Sequence, residues 1–217
     1  MGAGDPLIPC GAKLPGGITL AVDDETVGRV QGLLLEWYAA AKRDLPWRRT
    51  RDPYHILVAE IMLQQTQVLR VLPKYAEFLG RFPTLEALAA ATRAEVVRAW
   101  ETLGYNRRAV HLHALAQHVQ RALGGVLPRT ASELRRLPGI GPYTAAAVAC
   151  FAFGEQVAAV DTNVRRVLGR IFLGQGTGLP AEATARVLAQ QVLPPGEAYS
   201  WNQALMDLGA TLCTARR

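Results

Sequence analysis

The sequence lacks the features that direct a protein to a membrane or to an oxidising compartment. Half of its 217 residues are hydrophobic, yet no uninterrupted apolar run approaches the roughly 20 residues needed to cross a bilayer. Residues 1–20 have no basic start followed by an apolar core, and Pro6 interrupts the pattern for N-terminal lipid attachment. Cys10, Cys150 and Cys213 are odd in number and widely spaced, which argues against a disulfide framework. We therefore expect a soluble, cytoplasmic protein with no membrane partner.

Strand patterns are nearly absent too. Apolar residues recur at helical spacing, beginning with Val30, Leu33, Leu34, Trp37 and Tyr38, and Asp23 or Asp24 is a candidate cap for this first helix. Further helices are predicted at about 54–63, 66–81, 85–91, 93–102, 107–123, 131–136, 143–153, 162–173, 182–192 and 197–211. The sequence therefore predicts an all-α protein.

So many short helices exceed a single four-helix bundle and predict two helical lobes with a cleft between them. We expect a six-helix lobe at about 54–160, and a second lobe formed by about 23–53 together with 161–217. Residues 1–22 mix Gly, Pro and small residues without periodicity, which is typical of a flexible arm. We expect the protein to be a monomer.

The charge is positive and comes almost entirely from arginine. The net charge is +6, and of the 24 basic residues only Lys13, Lys42 and Lys74 are lysines. A positive balance favours a polyanionic partner. The excess of arginine is explained equally well by high genomic GC content and by phosphate recognition.

The turn at 137–144 joins two predicted helices through Gly139, Gly141 and Pro142. We expect both glycines to allow positive φ and close approach of a ligand, and the proline to occupy the first helical turn. A helix N-terminus offers unpaired N–H donors and partial positive charge, so it can bind a nucleic-acid phosphate without reading sequence. The alternative is an ordinary helix–helix turn.

Glu60 is the only charged residue between Ile56 and Leu63, a segment that otherwise resembles a core helix. Burial without a nearby cation would raise the pKa of this carboxyl group, and a protonated carboxyl can act as a general acid. Alternatively, Glu60 reaches solvent or pairs with a distant Arg. The polar residues at 64–67 that follow can satisfy a turn or contact base edges in an opened duplex.

Asp161 follows an apolar run and precedes a predicted helix, which is the position of an N-cap. Capping is compatible with catalysis. A carboxylate at a helix N-terminus is expected to stay ionised, and it can stabilise a developing cation.

These motifs, in this order, resemble the helix-hairpin-helix superfamily of DNA base-excision glycosylases. Within it, the sequence is similar to adenine glycosylases of the MutY type from about residue 30 to 213. The resemblance is carried by residues 45–48, 59–68, 103–105, 137–144, 160–164 and 201–210. The Met-Leu-Gln-Gln-Thr-Gln run at 62–67 is its most specific part.

The resemblance implies an enzyme that binds double-stranded DNA and removes adenine paired with 8-oxoguanine or guanine. Glu60 matches the general acid that protonates the adenine ring, and Asp161 matches the carboxylate that stabilises the oxocarbenium-like sugar. Asn163 and Tyr143 match supporting residues of that centre. The base pocket is matched by Trp47, Arg48 and Gln203. Residues that enter the duplex and contact the opposite, oxidised guanine are matched by Gln65, Thr66, Leu103 and Tyr105, and further DNA contacts by Gly139 and Gly141.

The resemblance also predicts a monofunctional enzyme. Related enzymes of the endonuclease III type attack the sugar with a lysine amine in the hairpin, where this sequence has Tyr143. Tyrosine cannot form a Schiff base, and arginine is too basic to replace lysine. We therefore expect the product to be an abasic site.

The sequence differs from the family pattern in two ways. Asn106 stands where the family has a tyrosine that contacts DNA. Typical members also continue past the position of Cys213 through three further cysteines that bind a 4Fe–4S cluster, and then to a domain that reads 8-oxoguanine. One thiolate cannot hold such a cluster. We expect no cofactor within this sequence, and a metal-binding role for Cys213 only if the native protein continues past Arg217; a truncated chain and a cluster-free branch are equally open.

Two other functions remain open: a mismatch thymine glycosylase, whose relatives also carry a tyrosine in the hairpin, and a DNA-binding protein without catalysis. Gln203 and the polar run at 64–67 favour adenine. The presence of both Glu60 and Asp161 argues against a non-catalytic protein.

Overall fold

The computed structural model describes residues 23–174 and 179–215. Those ranges contain α-helices and one 3₁₀ turn but no strand, which confirms the all-α prediction. The helices are α1 (Asp24–Ala41), α2 (Pro53–Leu63), α3 (Val68–Arg81), α4 (Leu85–Ala90), α5 (Arg93–Ala99), α6 (Arg107–Leu123), α7 (Ala131–Leu134), α8 (Pro142–Phe153), α9 (Thr162–Phe172), α10 (Glu182–Gln191) and α11 (Ala198–Thr211). The predicted arm at 1–22 lies outside the described residues.

Most predicted helices agree with the structure to within two residues, and the differences have local causes. Helix α3 begins at Val68 because Gln65 has a φ of 55°, which a right-handed helix does not allow. Helix α5 ends at Ala99, three residues early, and Thr102 beyond it has a φ of 79°. The 3₁₀ turn at Pro46–Arg48 was not predicted.

The described residues divide into two compact units, residues 44–155 and residues 23–43 together with 156–174 and 179–215. The sequence placed these boundaries at about 53 and 160. None of the helices in the described ranges combines the length and apolar content that crossing a membrane requires.

The core of the 44–155 unit is built around α2 and α8, which pack against each other. Both are apolar on nearly every face, as expected of helices surrounded by other elements. Each has a proline at its first position, and Asp52 caps α2 by accepting hydrogen bonds from the N–H groups of Tyr54 and His55. In the same unit the rings of Phe78 and Trp100 meet edge to face at 5.6 Å.

In the other unit, α11 packs against both α1 and α9. Its buried residues include Trp201, Gln203 and Asp207. The Asp207 carboxylate is almost inaccessible and receives hydrogen bonds from the backbone N–H of Arg43 at 3.2 Å and from its Nε at 2.6 Å. This charge-assisted pair joins the segment that follows α1 to α11.

Candidate active site

Glu60 is buried in α2, with 5% of its surface exposed. The alternative that it reaches solvent is therefore wrong. The phenol hydroxyl of Tyr143 donates a hydrogen bond of 2.7 Å to Glu60 Oε2. One turn along, Gln64 Nε2 donates to Thr144 Oγ1 at 3.3 Å. The packing of α2 on α8 thus brings Glu60, the candidate acid, into contact with Tyr143 in the first turn of α8.

The turn at 137–144 has one glycine with positive φ and not two. Gly139 has a φ of 79°, as predicted. Gly141 has a φ of −85° and a ψ of 172°, so the prediction of positive φ there is wrong. Gly141 is the N-cap of α8, and an N-cap takes extended backbone geometry that any residue can adopt.

Two exposed arginines precede this turn. Gly139 and Gly141 are exposed, and so are the side chains of Arg135 and Arg136 just before it. The N-terminus of α8 adds its own partial positive charge. Phosphate binding at Gly139 and Gly141 stays a prediction, and both residues lie where a phosphate could reach them.

Replacing Gly139 by Ala is expected to destabilise the protein by about 1–2 kcal/mol, the usual penalty of left-handed backbone for an L-residue. The added Cβ would also lie 3.1 Å from His111 Cβ. Gly141→Ser is the matched control, because a Cβ there meets nothing within 4 Å and serine is a favoured N-cap. Urea unfolding of both variants checks this, and equal loss of stability in the two would contradict it.

Asp161 caps α9 as predicted: its Oδ1 accepts a 2.7 Å hydrogen bond from the N–H of Val164. Asn163 Nδ2 donates to the other carboxylate oxygen at 3.3 Å. Burial nevertheless raises the pKa of Asp161, and hydrogen bonds from the N–H groups of Val164 and Asn163 and the charge of Arg166 only oppose that effect. The expectation that capping alone keeps it ionised is therefore incomplete, because desolvation is the larger influence.

Arg166 determines how Asn163 faces Asp161. Its Nη2 donates to Asn163 Oδ1 at 2.8 Å and to the carbonyl of Gly209 at 2.7 Å, while its Nε donates to the carbonyl of Cys213 at 2.8 Å. With its oxygen engaged by Arg166, the Asn163 amide turns its NH₂ group to Asp161. Gly209 allows this arrangement, since a Cβ there would lie 2.7 Å from Asn163 Cβ.

The residues assigned to the base pocket are placed as follows. Trp47 is buried in the 3₁₀ turn and meets Tyr75 edge to face at 5.4 Å. Arg48 follows it and is half-buried. Gln203 is buried on α11, in the same unit as Asp161. A pocket role for these residues stays a prediction.

The residues assigned to DNA contacts fall into two groups. Gln65 and Tyr105 are exposed, Tyr105 with 64% of its surface, and Thr66 is half-buried. Leu103 is only 2% exposed, and its side chain belongs to the core of the unit. Tyr105 therefore presents its ring to solvent in this segment, whereas Leu103 is buried. A DNA contact for these four residues stays a prediction.

Sequence reasoning missed Arg108. Its guanidinium is buried and hydrogen-bonded to both the 61–66 and the 103–104 segments. The neighbouring Arg107 is exposed. The only signal in the sequence is the register of α6, in which position 108 shares a face with the buried Leu112 and Leu115.

Cys213 is half-buried at the end of α11, and Arg170 Nη1 lies 3.2 Å from its sulfur. Among the described residues no group of three or more His, Cys, Asp or Glu side chains could hold a metal ion. A 4Fe–4S cluster needs four ligands. The donor set of the described residues does not fit such a cluster. Cys150 is fully buried, as expected of a small core residue.

A family model described as the HhH-GPD superfamily of base excision DNA repair proteins matches residues 58–194. The chain belongs to this superfamily. The match includes Glu60, the hairpin and Asp161, the features from which the resemblance was inferred. The predicted membership of the helix-hairpin-helix glycosylase superfamily is thereby confirmed.

Two individual DNA glycosylases are similar to most of the chain. An adenine DNA glycosylase of Mycolicibacterium smegmatis is 50% identical over 185 residues, which are 84% of this chain and 63% of that protein. The chain thus spans less than two thirds of the length of this relative. A thymine/uracil-DNA glycosylase of Methanothermobacter thermautotrophicus is 37% identical over 186 residues, which are 85% of this chain and 84% of that protein.

The solved structure of a thermostable thymine-DNA glycosylase superposes with a TM-score of 0.82 at 34% identity. The alignment covers 89% of this chain and 90% of that one. The all-α helix-hairpin-helix fold therefore agrees with that of a solved protein over nearly the whole chain.

Proposed function

We propose that this protein is a DNA glycosylase that hydrolyses the N-glycosidic bond of adenine paired with 8-oxoguanine or guanine. The observation that carries the proposal is the 2.7 Å hydrogen bond by which Tyr143, a residue of the hairpin at 137–144, holds the buried carboxyl group of Glu60. The 50% identity to an adenine DNA glycosylase supports the choice of base.

The chemistry assigned to Glu60 is proton transfer. The target deoxyadenosine must first leave the base stack, because its ring atoms are inaccessible inside a duplex. Glu60 then gives its proton to the adenine ring, the bond between the sugar and the base breaks, and the bonding electrons leave with the now neutral adenine. Tyr143 holds the carboxyl group in place by its hydrogen bond.

The chemistry assigned to Asp161 is stabilisation of the cationic sugar that remains. A carboxylate whose oxygens are already oriented by Val164 and Asn163 needs little reorganisation when the charge develops. Water then adds to the sugar, and its proton restores the acid form of Glu60. The products are free adenine and an abasic site, so atoms and charge balance.

The resemblance to thymine glycosylases supports a second candidate, removal of thymine paired with guanine. These relatives match this chain over 84% of one protein and 90% of one solved structure. They differ from the adenine enzymes in the base that must be accepted, and so the two functions can be separated by substrate.

We expect the purified protein to release adenine from duplexes with A opposite 8-oxoguanine or G, and nothing from a fully paired duplex. Single-turnover assays with labelled duplexes check this, with T opposite G as the competing substrate. Faster release of thymine would favour the second candidate, and binding without any release would favour a non-catalytic protein.

The same reactions carried out with borohydride should trap no covalent complex between protein and DNA, because Tyr143 cannot form a Schiff base. Efficient trapping or strand cleavage would contradict a monofunctional mechanism.

A further inference from the structure

Two short segments of the 44–155 unit hold all the non-glycine residues with positive φ in the described ranges. Gln65 has a φ of 55°, Thr102 of 79° and Tyr105 of 50°. L-residues rarely adopt such angles, and they persist only where the surroundings impose them. Gln65 and Tyr105 are also exposed, and both are among the residues assigned to DNA contacts. Something in the structure must therefore hold both segments in place.

The Arg108 side chain joins the two segments. Its Nη1 donates to the carbonyls of Ile61 at 3.0 Å and Met62 at 2.9 Å, and also to that of Gln64. Its Nη2 donates to Thr66 Oγ1 at 3.0 Å and to the carbonyls of Leu103 at 3.4 Å and Gly104 at 3.0 Å. One planar guanidinium thus contacts three residues of the segment at 61–64, Thr66 beside Gln65, and the turn that carries Tyr105.

The charge of Arg108 is balanced by dipoles. Among the described residues no carboxylate forms an ion pair with it. Ile61 and Met62 belong to the last turn of α2, whose carbonyls lack partners within the helix and carry partial negative charge. The rings of Trp100 and Tyr105 lie 5.6 and 5.5 Å from the guanidinium carbon. Loss of this side chain would leave several buried carbonyls without donors.

We propose that Arg108 is a positioning residue that holds Gln65 and Tyr105 in the conformation in which they meet DNA, and so determines discrimination of the base opposite the target. The inference rests on the proposed function, because Gln65 and Tyr105 are given their contact with the opposite base by family resemblance. A lysine could keep the charge but not the fork of donors that spans both segments.

The test compares Arg108→Met and Arg108→Lys with Arg121→Met. Arg121 lies on the same helix, is exposed, and donates through Nε to the carbonyl of Gln117 within α6, so it controls for the loss of one positive charge. Hydrogen–deuterium exchange without DNA is measured at 64–67 and 102–106, with α8 as the reference. We expect exchange at least tenfold faster in both segments for Arg108→Met, a smaller increase for Arg108→Lys, and none for Arg121→Met.

The second readout is the ratio of excision rates for A opposite 8-oxoguanine and A opposite guanine. We expect both Arg108 variants to bring this ratio at least fivefold closer to one, whereas a merely structural residue would lower both rates equally. If Arg108→Met does not fold, Arg108→Lys carries both measurements. Unchanged exchange in the two segments, an equal increase throughout α8, or an unchanged rate ratio would each overturn the proposal. If the wild type excises no base, the proposed function fails, and exchange alone then decides whether Arg108 holds the segments.

Discussion

Replacing Glu60 by Gln is expected to lower the single-turnover rate of adenine release by about 10²–10⁴-fold. The amide has nearly the same shape as the carboxyl group, and its oxygen can still accept the hydrogen bond from Tyr143. It cannot, however, give up a proton as an acid. Affinity for a duplex with A opposite 8-oxoguanine should change little, since Glu60 is buried and makes no phosphate contact in the proposal.

The matched control is Glu86→Gln, an exposed glutamate in the first turn of α4 in the same unit. It should keep the wild-type rate. The rate of Tyr143→Phe should lie between the rates of Glu60→Gln and the wild type, because this variant keeps the acid and loses the hydrogen bond that holds it. A wild-type rate in Glu60→Gln would remove the general acid from the mechanism.

Asp161→Asn is expected to lower the rate by about 10²–10³-fold, the effect of losing a pre-oriented group that stabilises a charged transition state. Asparagine caps helices as well as aspartate does, so α9 should keep its start. The substitution therefore separates the two roles of this residue, capping and charge.

The stability of Asp161→Asn should be unchanged or slightly higher at neutral pH. Since burial raises the pKa of Asp161 above its unfolded value, folding favours the protonated form, and the contribution of this group to stability grows as the pH falls through the folded pKa. At neutral pH the neutral amide avoids the desolvation of a carboxylate. Thermal unfolding of the wild type and of Asp161→Asn at neutral pH checks the sign of this change in stability.

Asp23→Asn is the control for this variant. Asp23 caps α1 in the same unit by accepting a 2.7 Å hydrogen bond from the N–H of Thr26, and the pKa of this carboxyl is lowered by that bond. We expect no change in its excision rate. If Asp161→Asn released adenine as fast as Asp23→Asn does, the carboxylate would have no part in the reaction.

Local sequence patterns predicted the helices well because their causes lie within a few residues. Apolar spacing and N-caps placed α9 behind Asp161 and α2 around Glu60. The same reasoning was wrong about the φ of Gly141, because motif spacing alone does not distinguish a left-handed turn residue from an extended N-cap. It also could not foresee that Leu103 is buried, because burial depends on neighbours distant in sequence. The DNA contacts assigned to both residues stay predictions.

By itself, then, the sequence determined the all-α class, the positions of the helices and the family, because periodicity, capping and specific motifs are local properties. Only the tertiary structure decided which side chains meet. Tyr143 reaches Glu60 across 83 positions, and Arg108 reaches Gln64 across 44. Such pairs depend on how α8 and α6 pack against α2, and packing is chosen by the burial of whole helix faces, which no short segment encodes.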